Sequence, residues 1–244
     1  MGLCALLYVV LISLVGARML LLARRSGGRP ELLIGMGSVL VAGVGFPTSL
    51  LSGFGKPVGE VHVALWIASE SITQLGIVLL YGFTQQVFRP GVAWAKALVI
   101  AVAAYLPVGL LGAGHALATA APDQGSVPAT SSWLLLCFVG YGGCFVWSAL
   151  ESLHQRDMAR RRGALGLADR FVANRFLLYA IYGIAATGIL AANAAGVLLG
   201  QDISASPIVL VPSALLGVVA SVAMYLAFVP PAWYRERVRA GVRP

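Results

Sequence analysis

The chain has 244 residues, 59% of them hydrophobic and 11% charged, with a formal net charge of +8. Soluble proteins run at roughly 45–50% apolar and about 25% charged residues, so this composition excludes an ordinary soluble domain, a disordered chain and, with three cysteines, a disulfide scaffold. The positive excess needs no nucleic acid partner, because the cytoplasmic loops of a polytopic membrane protein carry such an excess.

A membrane-crossing helix takes about 20 mostly apolar residues. Seven segments meet that requirement, at 3–23, 31–53, 61–87, 95–118, 131–153, 173–200 and 206–229. An open sheet cannot span lipid, since its unpaired backbone groups find no partner there. The alternating ten-residue strands of a β-barrel are absent. The predicted fold class is therefore an all-α membrane protein, a seven-transmembrane-helix bundle over 1–232, followed by a basic tail over 233–244.

No positive n-region precedes the first segment, and Arg18, Arg24 and Arg25 follow it. That pattern predicts an uncleaved anchor rather than a signal peptide. The start Met1-Gly2-Leu3-Cys4 resembles a myristoylation site, but Leu6 stands where Ser or Thr is needed. In the second segment Gly43, Gly45 and Pro47 predict a kink, as does Pro212 in the seventh. Cys137 and Cys144 are two turns apart on the fifth segment, about 10 Å, too far for a disulfide. They read as small packing residues. Gly140, Gly142 and Gly143 beside Tyr141 mark a close contact, and Gly188, Ala192 and Gly196 give the sixth segment a small-residue face. Residues 154–172, with Gly163 and Gly166, read as a basic surface helix or linker. Pro230 and Pro231 end the seventh segment, Trp233 and Tyr234 suit the interface, and the arginines from Arg235 to Arg243 suit the cytoplasmic face. No output domain is expected after this tail, and a sensor built this way is expected to signal through another protein.

Every Lys and Arg except Lys56 falls at one set of helix ends. The positive-inside rule then predicts an outside N-terminus, a cytoplasmic C-terminus and a plasma (inner) membrane location.

The third segment carries the chemistry. His62, Trp66, Ser69, Glu70, Thr73, Gln74, Tyr81, Thr84 and Gln85 recur at helical spacing and form one polar stripe. Such a stripe faces the bundle interior rather than lipid. Glu70 lies about ten residues from the outer end, where an ionisable group costs at least about 2.5 kcal/mol to insert. The other acidic residues, Glu31, Glu60, Asp123, Glu151, Asp157, Asp169, Asp202 and Glu236, sit at segment ends or in loops. Counting depth along alternating helices brings Tyr141, Asn193, Thr187, Tyr105, Ser13 and Ser213 to a similar level, and no basic residue. Glu70 is thus expected to be protonated or held by neutral donors, because a low-dielectric site disfavours the charged form. The predicted ligand-binding set is Glu70, Ser69, Thr73, Gln74, His62 and Trp66 with Tyr141 and Asn193. Two roles fit it, a proton- or ligand-responsive site and a polar staple between helices.

Catalysis is not indicated. HExxH, GxSxG and P-loop motifs are absent. His62 and His115 lack a third ligand at metal spacing, so interfacial hydrogen bonding is expected of them and no metal site. His154 falls at the cytoplasmic end of the fifth segment. Haem ligation by paired histidines is not supported. A retinal Schiff base needs a lysine in the last helix, and Lys56 and Lys96 both lie at helix ends. No cofactor is expected.

The runs Arg29-Pro30-Glu31-Leu32-Leu33-Ile34-Gly35, Gly43-Val44-Gly45-Phe46-Pro47, Val87-Phe88-Arg89-Pro90 and Ala227-Phe228-Val229-Pro230-Pro231-Ala232-Trp233 resemble those of a group of uncharacterised bacterial seven-helix membrane proteins. The exit segment is also similar to the junction after the seven-helix sensor regions of some bacterial histidine kinases. The resemblance implies the fold and a bacterial source, and this chain lacks the kinase's catalytic domain. Three functions follow as expectations: a receptor-like sensor binding a small apolar or weakly polar ligand near Glu70, a proton-coupled transporter titrating Glu70, or a non-catalytic subunit of a membrane assembly. The partners expected are the lipid bilayer, such a ligand and a membrane or cytoplasmic protein.

Overall fold

A computed structural model of the chain describes residues 2–165, 170–201, 203 and 206–240. Gly166, Asp169, Asp202 and Arg243 lie outside the described residues. Seven helices are long and apolar enough to cross a membrane, and this is a multi-pass all-helical protein with no strand among the described residues. They are α1 (Gly2–Ser26), α2 (Arg29–Leu51), α3 (Val63–Phe88), α4 (Ala93–Thr119), α5 (Ser126–Ala164), α6 (Arg170–Leu198) and α7 (Pro207–Phe228), and a short helix, α8 (Ala232–Ala240), follows.

Consecutive helices pack side by side, and α7 returns to α1, closing a ring. Helix α3 touches α2, α4 and α5 and is the span whose polar stripe most needs shelter. The tight turns that reverse the chain use glycine in the left-handed region, Gly27 (φ 67°) after α1 and Gly91 (φ 76°) between α3 and α4. A side chain there would be strained.

The first three helices are joined by two reciprocal glycine crossings. A β-carbon on Gly16 would lie 3.0 Å from the Gly35 carbonyl oxygen, and one on Gly35 would lie 3.1 Å from that of Gly16. Gly37 and Gly76 make the same crossing between α2 and α3, at 3.0 Å each way. Lipid tails are as apolar as leucine, so helices associate here by close backbone packing rather than by a hydrophobic drive. The small face of α6 packs on α7, with Gly188 against Leu216 and Gly196 against Val209.

Helix α2 contains the predicted irregularity in a specific form. Val39–Gly45 is a π-helical stretch, with the Phe46 N–H reaching back five residues to the Val41 carbonyl. Pro47 follows at the first turn of the resumed α-helix. Proline has no N–H and crowds the carbonyl four residues back, and a widened turn relieves that crowding.

Helix α5 departs most from the expected bounds. In place of 131–153 it runs unbroken for 39 residues, about 58 Å at 1.5 Å per residue, against roughly 30 Å of hydrocarbon. The stretch predicted as surface helix or linker continues the same rod to Ala164. Its glutamine, methionine, arginine and alanine residues favour helix.

At the end opposite the arginines two loops lock together. Val58 N–H donates to the Gln124 carbonyl (2.8 Å), Gly59 N–H to that of Pro122 (2.8 Å) and Ser126 N–H to that of Lys56 (3.1 Å). Phe54 stacks on the buried Trp66 ring with centroids 5.1 Å apart.

Candidate functional site

Glu70 lies in the first third of α3, beside its buried face. One, two and three turns along that face stand Gln74, Ile77 and Tyr81, all buried, as is Trp66 one turn the other way. The Tyr141 hydroxyl of α5 donates to Glu70 Oε2 at 2.9 Å. Among the described residues Glu70 forms no ion pair, and Tyr141 is its one hydrogen-bond partner there. Glu70 is only half-buried, and Oε1 keeps accessible surface rather than being sealed and orphaned.

Gln74 extends the cluster. Its Nε2 donates to the Leu106 carbonyl of α4 at 3.1 Å and approaches Cys137 Sγ of α5 at 3.8 Å. Leu106 precedes Pro107, which stands inside α4. Glu70, Gln74, Tyr141 and Cys137 therefore form a polar seam between α3, α4 and α5. The chemistry available is that of one carboxyl group with a neutral donor on one oxygen and the other oxygen open. Protonated, it can donate from Oε1; ionised, it can only accept.

The remaining predicted residues fall elsewhere. Ser69 is buried one turn from Trp66 and gives its hydroxyl to the Trp66 carbonyl at 2.8 Å. Thr73 gives its own to the Ser69 carbonyl at 3.0 Å, and lies against Gly45 at the end of the π-helical stretch. Trp66 packs under the loop carrying Phe54. His62 precedes the first residue of α3 and is exposed, as is His115. Asn193 donates to the Ile189 carbonyl within α6 at 2.8 Å, and no hydrogen bond joins it to Glu70. Thr187 turns to the Gly183 carbonyl (2.8 Å) and Tyr105 to the Leu136 carbonyl (3.0 Å). Ser13 and Ser213 Oγ are buried without partners. Counting residues gives the height of a side chain in the bilayer but not its direction around the helix, so of six expected companions Tyr141 alone reaches the carboxyl. Cys137, expected as a packing residue, lies one turn from Tyr141 on the same face and meets the Gln74 amide.

A second polar group lies at the basic end. Arg89 Nε donates to Glu151 Oε1 at 2.7 Å, and Trp147 Nε1 donates to the same oxygen at 3.2 Å. Hydrogen bonding to this carboxylate pushes the Arg89 guanidinium further up, so the arginine stays charged at any physiological pH. Glu151 Oε2 is buried and unpartnered. Beside it Thr84 and Ser148 share a 2.7 Å hydrogen bond. Glu151, expected among the end charges, is instead buried within α5, 6% exposed. Among the described residues no group of His, Cys, Asp and Glu comes together that could hold a metal ion.

Compared with protein-family models, curated proteins and solved structures, the chain matches none.

Proposed function

We propose that this chain is a receptor-like membrane sensor, or ligand-binding module, whose small apolar or weakly polar ligand docks beside Glu70 and whose state is passed to a separate protein. The observation that carries this reading is the unequal use of the Glu70 carboxyl: one oxygen is held by Tyr141 at 2.9 Å and the other is left accessible. A staple between helices gains most when both oxygens are satisfied, because unpaired polar groups are costly in low-dielectric surroundings. A receptor site gains from one oxygen that is positioned and unspent.

The membrane is the inner membrane of a bacterium in this proposal, following the resemblance, and the arginine-rich ends of the bundle face the cytoplasm. A second reading, a proton-coupled carrier, draws on one specific observation: a carboxyl inside the span with no ion-pair partner among the described residues can change protonation without leaving a neighbour uncompensated.

Native mass spectrometry of wild type and Glu70→Gln, released gently from bacterial membranes, tests the proposal. A small molecule retained by wild type and lost from the variant is the expected result. A wild type that flies bare, with a Glu70-dependent proton flux in dye-loaded proteoliposomes, would replace the sensor with the carrier. Bare protein and no flux would leave Glu70 as a staple.

A further inference from the structure

A cavity of about 260 Å³ opens among the arginine-rich ends of α1, α2, α3, α6 and α7, well away from Glu70. Its walls are apolar, dominated by Met19, Phe83, Phe88, Phe176, Tyr179 and Phe228, and its charged lining residues are Arg175 and Glu31. Room for roughly nine waters, at about 30 Å³ each, bounded by aromatic rings suits a length of hydrocarbon better than a polar solute.

Arg175 is fixed at this cavity by the end of α7. The Ala227 carbonyl would take its helical hydrogen bond from residue 231, and Pro231 has no N–H to give. Arg175 Nε supplies the missing donor at 2.9 Å, a side-chain cap on a helix C-terminus. The guanidinium also lies 5.7 Å from the centre of the Phe228 ring. This commits one face of the group and leaves its terminal nitrogens for an anion. Among the described residues Arg175 has no ion-pair partner, and Arg18 of α1 is near enough to add its positive field.

We propose that this cavity is a binding site for an anionic phospholipid, with an acyl chain among the aromatic rings and the phosphate on the Arg175 guanidinium. Planar guanidinium groups pair with phosphate through two parallel hydrogen bonds. Basic pockets between spans at the level of the headgroups are suited to anionic lipids. The Glu31 carboxylate lies beside Gly28 at the start of α2, on the other side of the cavity's lining. A free phosphate would gain nothing from the aromatic walls, and a zwitterionic lipid would bring a second cation to two arginines.

The probes are phosphatidylglycerol, phosphatidylcholine, a free fatty acid and inorganic phosphate, added to the delipidated chain in neutral detergent, with retention read by native mass spectrometry and thermal stability. Phosphatidylglycerol is expected to bind about tenfold more tightly than phosphatidylcholine, the worth of one charge-assisted pair, and inorganic phosphate should give no protection. Arg175→Gln also uncaps α7, so the decision rests on two variants that leave the cap in place. Val87→Trp, which fills the cavity from its lining, should abolish retention, and Arg18→Gln should narrow the preference for phosphatidylglycerol several-fold. Equal retention of the two phospholipids, tighter retention of the fatty acid, protection by phosphate alone, or unchanged retention by Val87→Trp would each overturn the proposal.

Discussion

Glu151 is enclosed by the bundle and Glu70 only half so, on adjoining helices and at different depths. Glu151, at the arginine-rich end of α5, holds Arg89 at 2.7 Å and receives the Trp147 indole on the same oxygen. Glu70, in the first third of α3, has a tyrosine hydroxyl for company and no cation. A carboxylate with a fixed counter-charge contributes to structure. One with a neutral donor can exist in either protonation state at little cost to its neighbours, which is what a responsive site requires.

The contrast can be broken most forcefully at Arg89. Arg89→Met leaves Glu151 buried, with no cation on Oε1 and none on the already unpartnered Oε2. Removing one partner of a buried pair is strongly destabilising, and a fall of roughly 5–10 °C in the unfolding midpoint is expected in a detergent melt. Glu151→Gln should cost distinctly less. Arg89 has 42% of its side chain exposed and can turn to water, while the amide oxygen still accepts from Trp147. Equal losses for the two variants would show that the pair is not asymmetric in its burial.

Tyr141→Phe is the next step down. One interhelical hydrogen bond within a membrane is worth about 0.6 kcal/mol on average, so reversible unfolding in mixed micelles should register a loss of that order. Glu70→Gln should be smallest of all, within about 0.5 kcal/mol at neutral pH, because its amide oxygen can still accept from Tyr141. A Glu70→Gln penalty as large as that of Arg89→Met would make Glu70 a structural residue and remove the distinction between the two sites.

The legibility of the molecule follows the range of the forces involved. Each span is a local apolar run, so six of the seven helices end within a few residues of where hydropathy puts them. Helix α5 does not, because once it leaves lipid its continuation depends on helix propensity rather than on apolarity. Tyr141 is readable as a companion of Glu70 because α3 and α5 cross in the same direction, so counting from the same end of each brings matching depths together. Asn193 spends its amide inside α6 instead, because depth carries no azimuth. The Arg89–Glu151 pair joins residues 62 apart, and each alone looks like an ordinary end charge. The Gly16–Gly35 and Gly37–Gly76 crossings depend on which helices are neighbours, which no single segment encodes. Gly43, Gly45 and Pro47 announced an irregularity in α2; that it became a widened turn rather than a sharp bend depends on the accommodation of Pro47 within a continuing helix.

Helix α5 has a mechanical consequence. From Tyr141 to Ala164 the rod extends 23 residues, about 35 Å, without a break. If it pivots as a unit about the level of Tyr141, a change of about 5° in inclination swings its arginine-bearing tip sideways by roughly 3 Å. A change of inclination too small to alter the packing at the level of Glu70 is thus enlarged at the arginine-bearing tip.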